Sequence, residues 1–137
     1  MLTQARMARM LVAVSLVLVA CSSGGGGSSA KRPSTAARLE IVSPTPSEVT
    51  GPNVNVKFNL IGATILPPDQ VTGPLRGDQG HIHLRLDGAG VQMAYGPEMT
   101  LNNLTPGPHT IVGEFVATDH QPFTNRPTTA VVFQVKS

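Results

Sequence analysis

Histidine is the residue type with the clearest capacity for chemistry in this sequence, which contains four of them. His81 and His83 are separated by one residue within an alternating run, HIHLRLD. On a β-strand such a pair points to one face, with Cα atoms about 7 Å apart. Two imidazoles at that spacing can bind one borderline or soft metal ion, and His120, in a later loop, could supply a third nitrogen. Met93 and Met99 offer thioethers, which favour Cu(I). One hypothesis is therefore a copper or zinc site formed by His81, His83 and His120.

The same histidines have a structural interpretation, which the residues alone favour. Alternation places His81 and His83 on the polar outer face of their strand whatever their role. His109 directly follows a Pro-Gly-Pro turn, where a histidine commonly bonds a backbone carbonyl, and His120, close to Pro122, is open to the same interpretation. A tetrahedral site needs three or four ligands in one place, and the sequence puts only one pair on a common face. On this interpretation the chain binds no metal and no other cofactor.

Catalytic motifs are missing from the sequence. It contains no Gly-x-Ser-x-Gly elbow, no His-Glu-x-x-His pair and no glycine loop of the kind that binds phosphate. Its eight acidic residues are dispersed, so that no pair of carboxylates suggests acid–base chemistry. We therefore predict a protein that is not an enzyme.

The distribution of charge argues against a nucleic-acid partner. Five of the ten basic residues lie within the first 38 positions, which leaves five basic and eight acidic residues over 39–137, a net charge of −3. A domain that binds nucleic acid carries a basic stripe on its folded surface. We expect no nucleic-acid binding.

The N-terminus has the layout of a secretory signal. Arg6 and Arg9 precede an apolar run over residues 10–19, which is too short for a membrane-spanning helix of roughly 20 apolar residues. The run ends in LVAC at positions 18–21, and this string resembles the lipobox of bacterial lipoproteins. The resemblance implies that residues 1–20 are a leader and that the thiol of Cys21 carries a diacylglyceryl group.

Cys21 is the single cysteine of the chain, so it has no disulfide partner within it. An exposed free thiol in an oxidising compartment is a liability unless it is modified. We therefore expect an acyl anchor at Cys21 in the membrane of the cell envelope, with the protein facing away from the cytoplasm. Residues 21–38 include four consecutive glycines and predict a flexible Gly/Ser-rich linker.

Short alternating runs between proline and glycine breaks predict β-structure over residues 39–137. Residues 53–60, 81–87 and 129–136 each alternate apolar and polar side chains, which is the period of a half-buried strand. Strands separated by turns, without any helical pattern, are typical of a sandwich. We predict an all-β, immunoglobulin-like antiparallel β-sandwich of about seven strands, present as a monomer.

Three strings lie within this region: residues 80–84 (GHIHL) followed by Asp87, residues 104–110 (LTPGPHT) and residues 119–122 (DHQP). Together they resemble a family of secreted bacterial immunoglobulin-like domains of unknown function. The resemblance extends over about residues 39–135 and implies the sandwich fold. With the lipid anchor, it predicts a non-catalytic binding or structural module whose loops contact an envelope protein or a glycan.

Overall fold

The computed structural model describes residues 31–136. The leader, Cys21 and the glycine-rich part of the linker lie outside these residues. Within the described part, nine strands and one 3-10 helix (Pro68–Gln70) follow one another along the chain. The strands are β1 (Arg38–Ser43), β2 (Val49–Thr50), β3 (Val54–Ile61), β4 (Thr64–Ile65), β5 (Gln79–Leu86), β6 (Gln92–Ala94), β7 (Glu98–Leu101), β8 (Gly107–Ala117) and β9 (Thr128–Val135).

The strands form two sheets, which confirms the all-β sandwich. One sheet has the order β1-β3-β7, and all of its pairings are antiparallel. The other has the order β2-β9-β8-β5-β4, with β6 also paired to β5. Two short edge strands, β2 and β4, pair in parallel with β9 and β5, while the long central strands are antiparallel. The central strand β8 therefore lies between β5 and β9. The strand that bears His109 is thus next to the strand that bears His81 and His83.

Alternation along the strands explains the core. In β3 the buried positions are Val54, Val56 and Phe58, and the intervening residues are exposed, as the sequence predicts. The larger sheet contributes these buried apolar side chains to the same core: Ile82, Leu84, Ile111, Phe115, Val131, Phe133 and Val135. Burial of each such side chain stabilises the fold by about 1.5–3 kcal/mol, so a single core holds the two sheets together.

The folded domain begins before Leu39. Residues 31–37, expected to belong to the flexible linker, lie against the loop between β8 and β9, and Thr35 and Ala37 are buried. Arg38 is the first residue of β1. The prediction that the linker extends to residue 38 is therefore wrong over its last eight positions. The reason is that polar hydrogen bonds, rather than a run of apolar side chains, dock this segment.

No helix within residues 31–136 is long and apolar enough to cross a membrane.

Candidate metal centre

Strand β5 presents the first two histidines. Ile82 and Leu84 are fully buried in the core, so His81 and His83 occupy the opposite face of the strand, as alternation predicts. His81 lies on this outer face and is nevertheless only 2% exposed. The rings of Tyr95 and His120 cover it, with centroids 5.2 Å and 4.3 Å from its own.

A tight turn at the end of β8 brings His120 over β5. The His120 N–H donates to the Ala117 carbonyl (2.9 Å), and the Ala117 N–H donates to the Gln121 carbonyl (3.0 Å). A β-bridge between Val116 and Pro122 then returns the chain along β8. His120 itself has a φ of 64°, a left-handed conformation that is uncommon outside glycine. Such conformations concentrate where the surrounding structure fixes a functional side chain.

The three ring nitrogens converge on one point. His81 Nε2 lies 3.3 Å from His83 Nε2 and 3.0 Å from His120 Nδ1, and one nitrogen from each ring falls within 4.8 Å of the others. In tetrahedral coordination, two nitrogens that are each ~2.0–2.1 Å from one ion lie about 3.3–3.4 Å apart. The two distances from His81 therefore suit a shared ion, and the three candidates from the sequence are brought together.

One nitrogen of His81 lies within hydrogen-bonding distance of both other rings. His81 Nε2 faces two other ring nitrogens. An imidazole nitrogen either donates one proton or accepts through one in-plane lone pair, so it makes one good contact rather than two. A metal ion at the centre would instead receive a lone pair from each ring.

Burial keeps two of the rings neutral. Burial, and after it the nearby His120 and His83, lower the pKa of His81 to about 4. Burial is also the main cause of the lowered pKa of His83, followed by the proximity of His120. Metal ligands must be deprotonated, so at neutral pH these two imidazoles are already in the form that binds an ion.

Two carboxylates flank the histidines, and neither was a candidate from the sequence. Glu114 lies directly opposite His83 in the β5–β8 pairing, and its oxygens accept from Arg126 Nε (2.9 Å) and Nη2 (3.1 Å). Asp119, next to His120, accepts from Arg32 Nη2 (2.6 Å) and Nη1 (3.0 Å). The only sequence signal for Asp119 is its place in the DHQP string, and Glu114 carries no signal at all.

Of the two methionines considered as ligands, one lies near the histidines. Met93 is the register partner of His83 across β5 and β6, and directly opposite side chains share a face. Its sulfur accepts a hydrogen bond from the Tyr95 hydroxyl at 2.9 Å. Met99 pairs with Val56 in the other sheet and packs against the core. The structure therefore excludes Met99 from the cluster.

His109 has the structural role expected from its position after the turn. Its Nε2 lies 2.7 Å from the Thr105 carbonyl oxygen and its Nδ1 2.7 Å from Asp87 Oδ2. The Thr105 carbonyl and then the Asp87 carboxylate raise the pKa of His109, because both partners favour a ring that donates from each nitrogen. His120, which the sequence left open to the same role, contacts His81 instead.

We expect the His109 contacts to make stability depend on pH. The folded-state pKa of His109 is raised, so its contribution is full below the unfolded value of about 6.5 and is lost as pH rises through the folded value. Unfolded His81 and His83 still hold protons near pH 6.5, so the slope belongs to His109 only above about pH 7.5, where the other two are neutral in both states. Denaturant unfolding between about pH 7.5 and 9 should show a falling free energy of unfolding.

His109→Asn is the matched variant for this measurement. It should flatten the slope and cost about 1–3 kcal/mol, because a buried hydrogen-bonded group is lost. A wild-type free energy of unfolding that rises over this pH range would contradict the assignment.

Comparison with known proteins leaves the chain without a family. No protein-family model and no curated protein matches it. Among solved structures, it is similar to the extracellular domain of a one-component system from B. thetaiotaomicron, with 14% identity and a TM-score of 0.43. The match covers 77% of this chain and 16% of that one, so the chain spans a small part of the larger protein. A similarity at this level defines neither a family nor a function.

Proposed function

We propose that this chain is a lipid-anchored protein of the cell envelope that binds one copper or zinc ion through His81, His83 and His120. The observation that carries the proposal is the convergence of three ring nitrogens within 4.8 Å. Imidazole is a ligand for both copper and zinc. Two ligands come from a core strand and the third from a turn closed by backbone hydrogen bonds, so the site is formed before the ion arrives.

The proposed site is a carrier rather than a catalyst. Three protein ligands leave one coordination position open, which allows an ion to be exchanged as well as a water to be activated. A hydrolytic metal centre also needs a general base, and both oxygens of Glu114 and of Asp119 are engaged by arginines. Neither flanking carboxylate is free to take a proton from a bound water. Exchange of the ion with a partner fits these contacts better than turnover.

The placement in the envelope rests on the sequence. A positive, then apolar, N-terminus that ends in LVAC supports export and attachment through Cys21. An exported metal carrier held at the membrane would meet ions as they enter or leave the envelope. Mass spectrometry of the native protein tests this part of the proposal, and an unmodified Cys21 thiol would contradict it.

Metal titration tests the binding itself. We expect the full chain, purified in detergent with Cys21→Ser to remove the thiol as a ligand, to bind one ion with a Kd of about 1 µM or tighter. Cu(II) should bind more tightly than Zn(II), because a nitrogen site follows the general order of divalent metals. Calorimetry with a competing chelator measures both.

His109→Asn serves as the control in this titration. Both of its ring nitrogens are engaged elsewhere, so the stoichiometry and affinity should not change. The absence of binding at micromolar concentrations would contradict the proposal, and so would binding that survives replacement of all three candidate ligands.

A further inference from the structure

The segment before β1 forms a strap across the turn that carries His120. This strap, residues 31–37, has no regular secondary structure. Arg32 holds the turn by three contacts: its guanidinium forks onto both oxygens of Asp119, and its Nε donates to the Pro122 carbonyl. Asp119 precedes His120 in the chain and Pro122 follows two residues later. Arg32 thus contacts the residue before the third ligand through its carboxylate and Pro122, after it, through its carbonyl.

Further hydrogen bonds fix the strap along the same loop. The Thr124 N–H donates to the Pro33 carbonyl at 3.2 Å. Thr35 and Asn125 exchange two bonds, from the Thr35 N–H to Oδ1 (3.0 Å) and from Nδ2 to the Thr35 carbonyl (2.7 Å). These three hydrogen bonds fix the strap along the loop between β8 and β9.

Gly77 packs directly against the backbone of the strap. A Cβ placed on Gly77 would lie 2.4 Å from the Ser34 carbonyl oxygen, well inside the shortest distance that real atoms tolerate. The strap can therefore dock in this position only over a residue without a side chain. A substitution at Gly77 therefore perturbs docking of the strap without altering Arg32 or the histidines.

We propose that the strap is part of the metal centre and that Arg32 is a positioning residue for His120. This inference rests on the proposed metal binding. Among the three ligands, His81 and His83 are fixed by a central strand, whereas His120 lies in a turn and has a left-handed backbone. Ordering that turn costs conformational entropy. The ion pair between Arg32 and Asp119 orders the turn before the ion binds, so metal binding does not bear this cost. Ion binding and strap docking are then coupled, and each strengthens the other.

The coupling connects the site to the chain that leads toward the proposed anchor. Residue 31 directly follows the glycine-rich stretch. A pull on that stretch, or its displacement by a partner, would act on Arg32 and through it on His120. Release of the strap would lower the affinity of the site for the ion. A carrier needs such a decrease in affinity in order to transfer its ion to an acceptor.

Arg32→Ala tests the ion pair between Arg32 and Asp119 in the full chain with Cys21→Ser. We expect the affinity for Cu(II) to fall about tenfold, the lower end of the range for residues that orient metal ligands. Nitrogen hyperfine structure in the electron paramagnetic resonance spectrum should change from three coordinated imidazoles to two. Arg32→Lys should recover only part of the affinity, because an ammonium group cannot form the fork.

Two controls separate positioning from general stability. Lys57→Ala removes an exposed ion pair to Glu98 in the other sheet and should leave affinity and spectrum unchanged. Gly77→Ala should reproduce the effect of Arg32→Ala, whereas Gly96→Ala, where a Cβ meets nothing within 4 Å, should not.

The outcomes distinguish the two proposals. If the parent chain binds neither Cu(II) nor Zn(II), the proposed function fails. If it binds Cu(II) through three imidazoles and neither Arg32→Ala nor Gly77→Ala alters the affinity or the spectrum, the function stands and the role of the strap is refuted.

Discussion

His81→Ala is expected to lower the affinity for Zn(II) and Cu(II) by more than about a hundredfold, beyond the range found for residues that only orient ligands. His81 is the central member of the cluster, since its Nε2 lies 3.3 Å from His83 and 3.0 Å from His120. Without His81, only the ring nitrogens of His83 and His120 remain, and each has lost its contact with His81 Nε2. Calorimetric titration of the variant beside the parent chain measures the loss.

The fold should survive this substitution, so the loss can be assigned to the ligand. His81 points away from the core, and its strand neighbours Ile82 and Leu84 hold β5 in place. A neutral buried imidazole also destabilises the folded protein at acidic pH. Its lowered pKa of about 4 means that its contribution is present above about pH 6.5 and lost as pH falls toward 4.

Denaturant unfolding in the presence of a chelator provides the check. In the parent, the free energy of unfolding falls between pH 7 and pH 5 because buried His81 stays neutral while the unfolded chain takes up a proton there. His81→Ala lacks this group, so its free energy of unfolding should fall less over the same range. A variant that unfolds normally and still binds the ion with the affinity of the parent would refute the assignment of His81 as a ligand.

The sequence predicts the fold and half of the site because both depend on local periodicity. Alternation alone places Val54, Val56 and Phe58 in the core and puts His81 and His83 on a common face. These statements require only that each segment is a strand, since a strand fixes which residues share a side. The sheet order, and the parallel edge pairings, lie beyond such information.

The approach of His120 could not be predicted, because it depends on contacts between distant parts of the chain. His120 lies 39 residues from His81, and its position is set by the turn after Ala117 and by the pairing of β8 with β5. Local signals beside His120, such as the nearby proline, equally suit a histidine that bonds a carbonyl. Only the tertiary fold distinguishes the two roles.

The strap is the clearest failure of composition as a guide. Its sequence, KRPSTAA, contains small and polar residues and follows a run of glycine and serine, which is typical of a linker. It docks through Arg32 and backbone hydrogen bonds to residues about 90 positions away. The pattern of apolar residues does not indicate such contacts. A domain boundary predicted from that pattern therefore lies too far toward the C-terminus.

Gly80→Ala is expected to destabilise the protein by at least about 3 kcal/mol, at the upper end of the range for overpacked cores. A Cβ on Gly80 would lie 1.9 Å from the Val116 carbonyl oxygen and 3.0 Å from both its carbon and the Phe115 ring. Two of these atoms belong to the backbone of β8. They cannot move aside, because Val116 forms a β-bridge with Pro122 on the other edge of β8.

Gly90→Ala is the matched control for this experiment. A Cβ there meets nothing within 4 Å, so the change should be neutral or stabilise by up to about 1 kcal/mol through the unfolded state. The midpoints and slopes of denaturant unfolding at pH 7, measured for both variants and the parent, give the comparison.

The result bears on the metal centre as well as on the fold. The close approach of Gly80 to Val116 is the end of the same register that sets His81 opposite Val116 and His83 opposite Glu114. That register also fixes where β8 ends and the turn bearing His120 begins. If Gly80→Ala folded with the stability of the parent, β5 and β8 would have to lie further apart than the structure places them. His120, in the turn after β8, would then lie too far from His81 and His83 to share an ion with them.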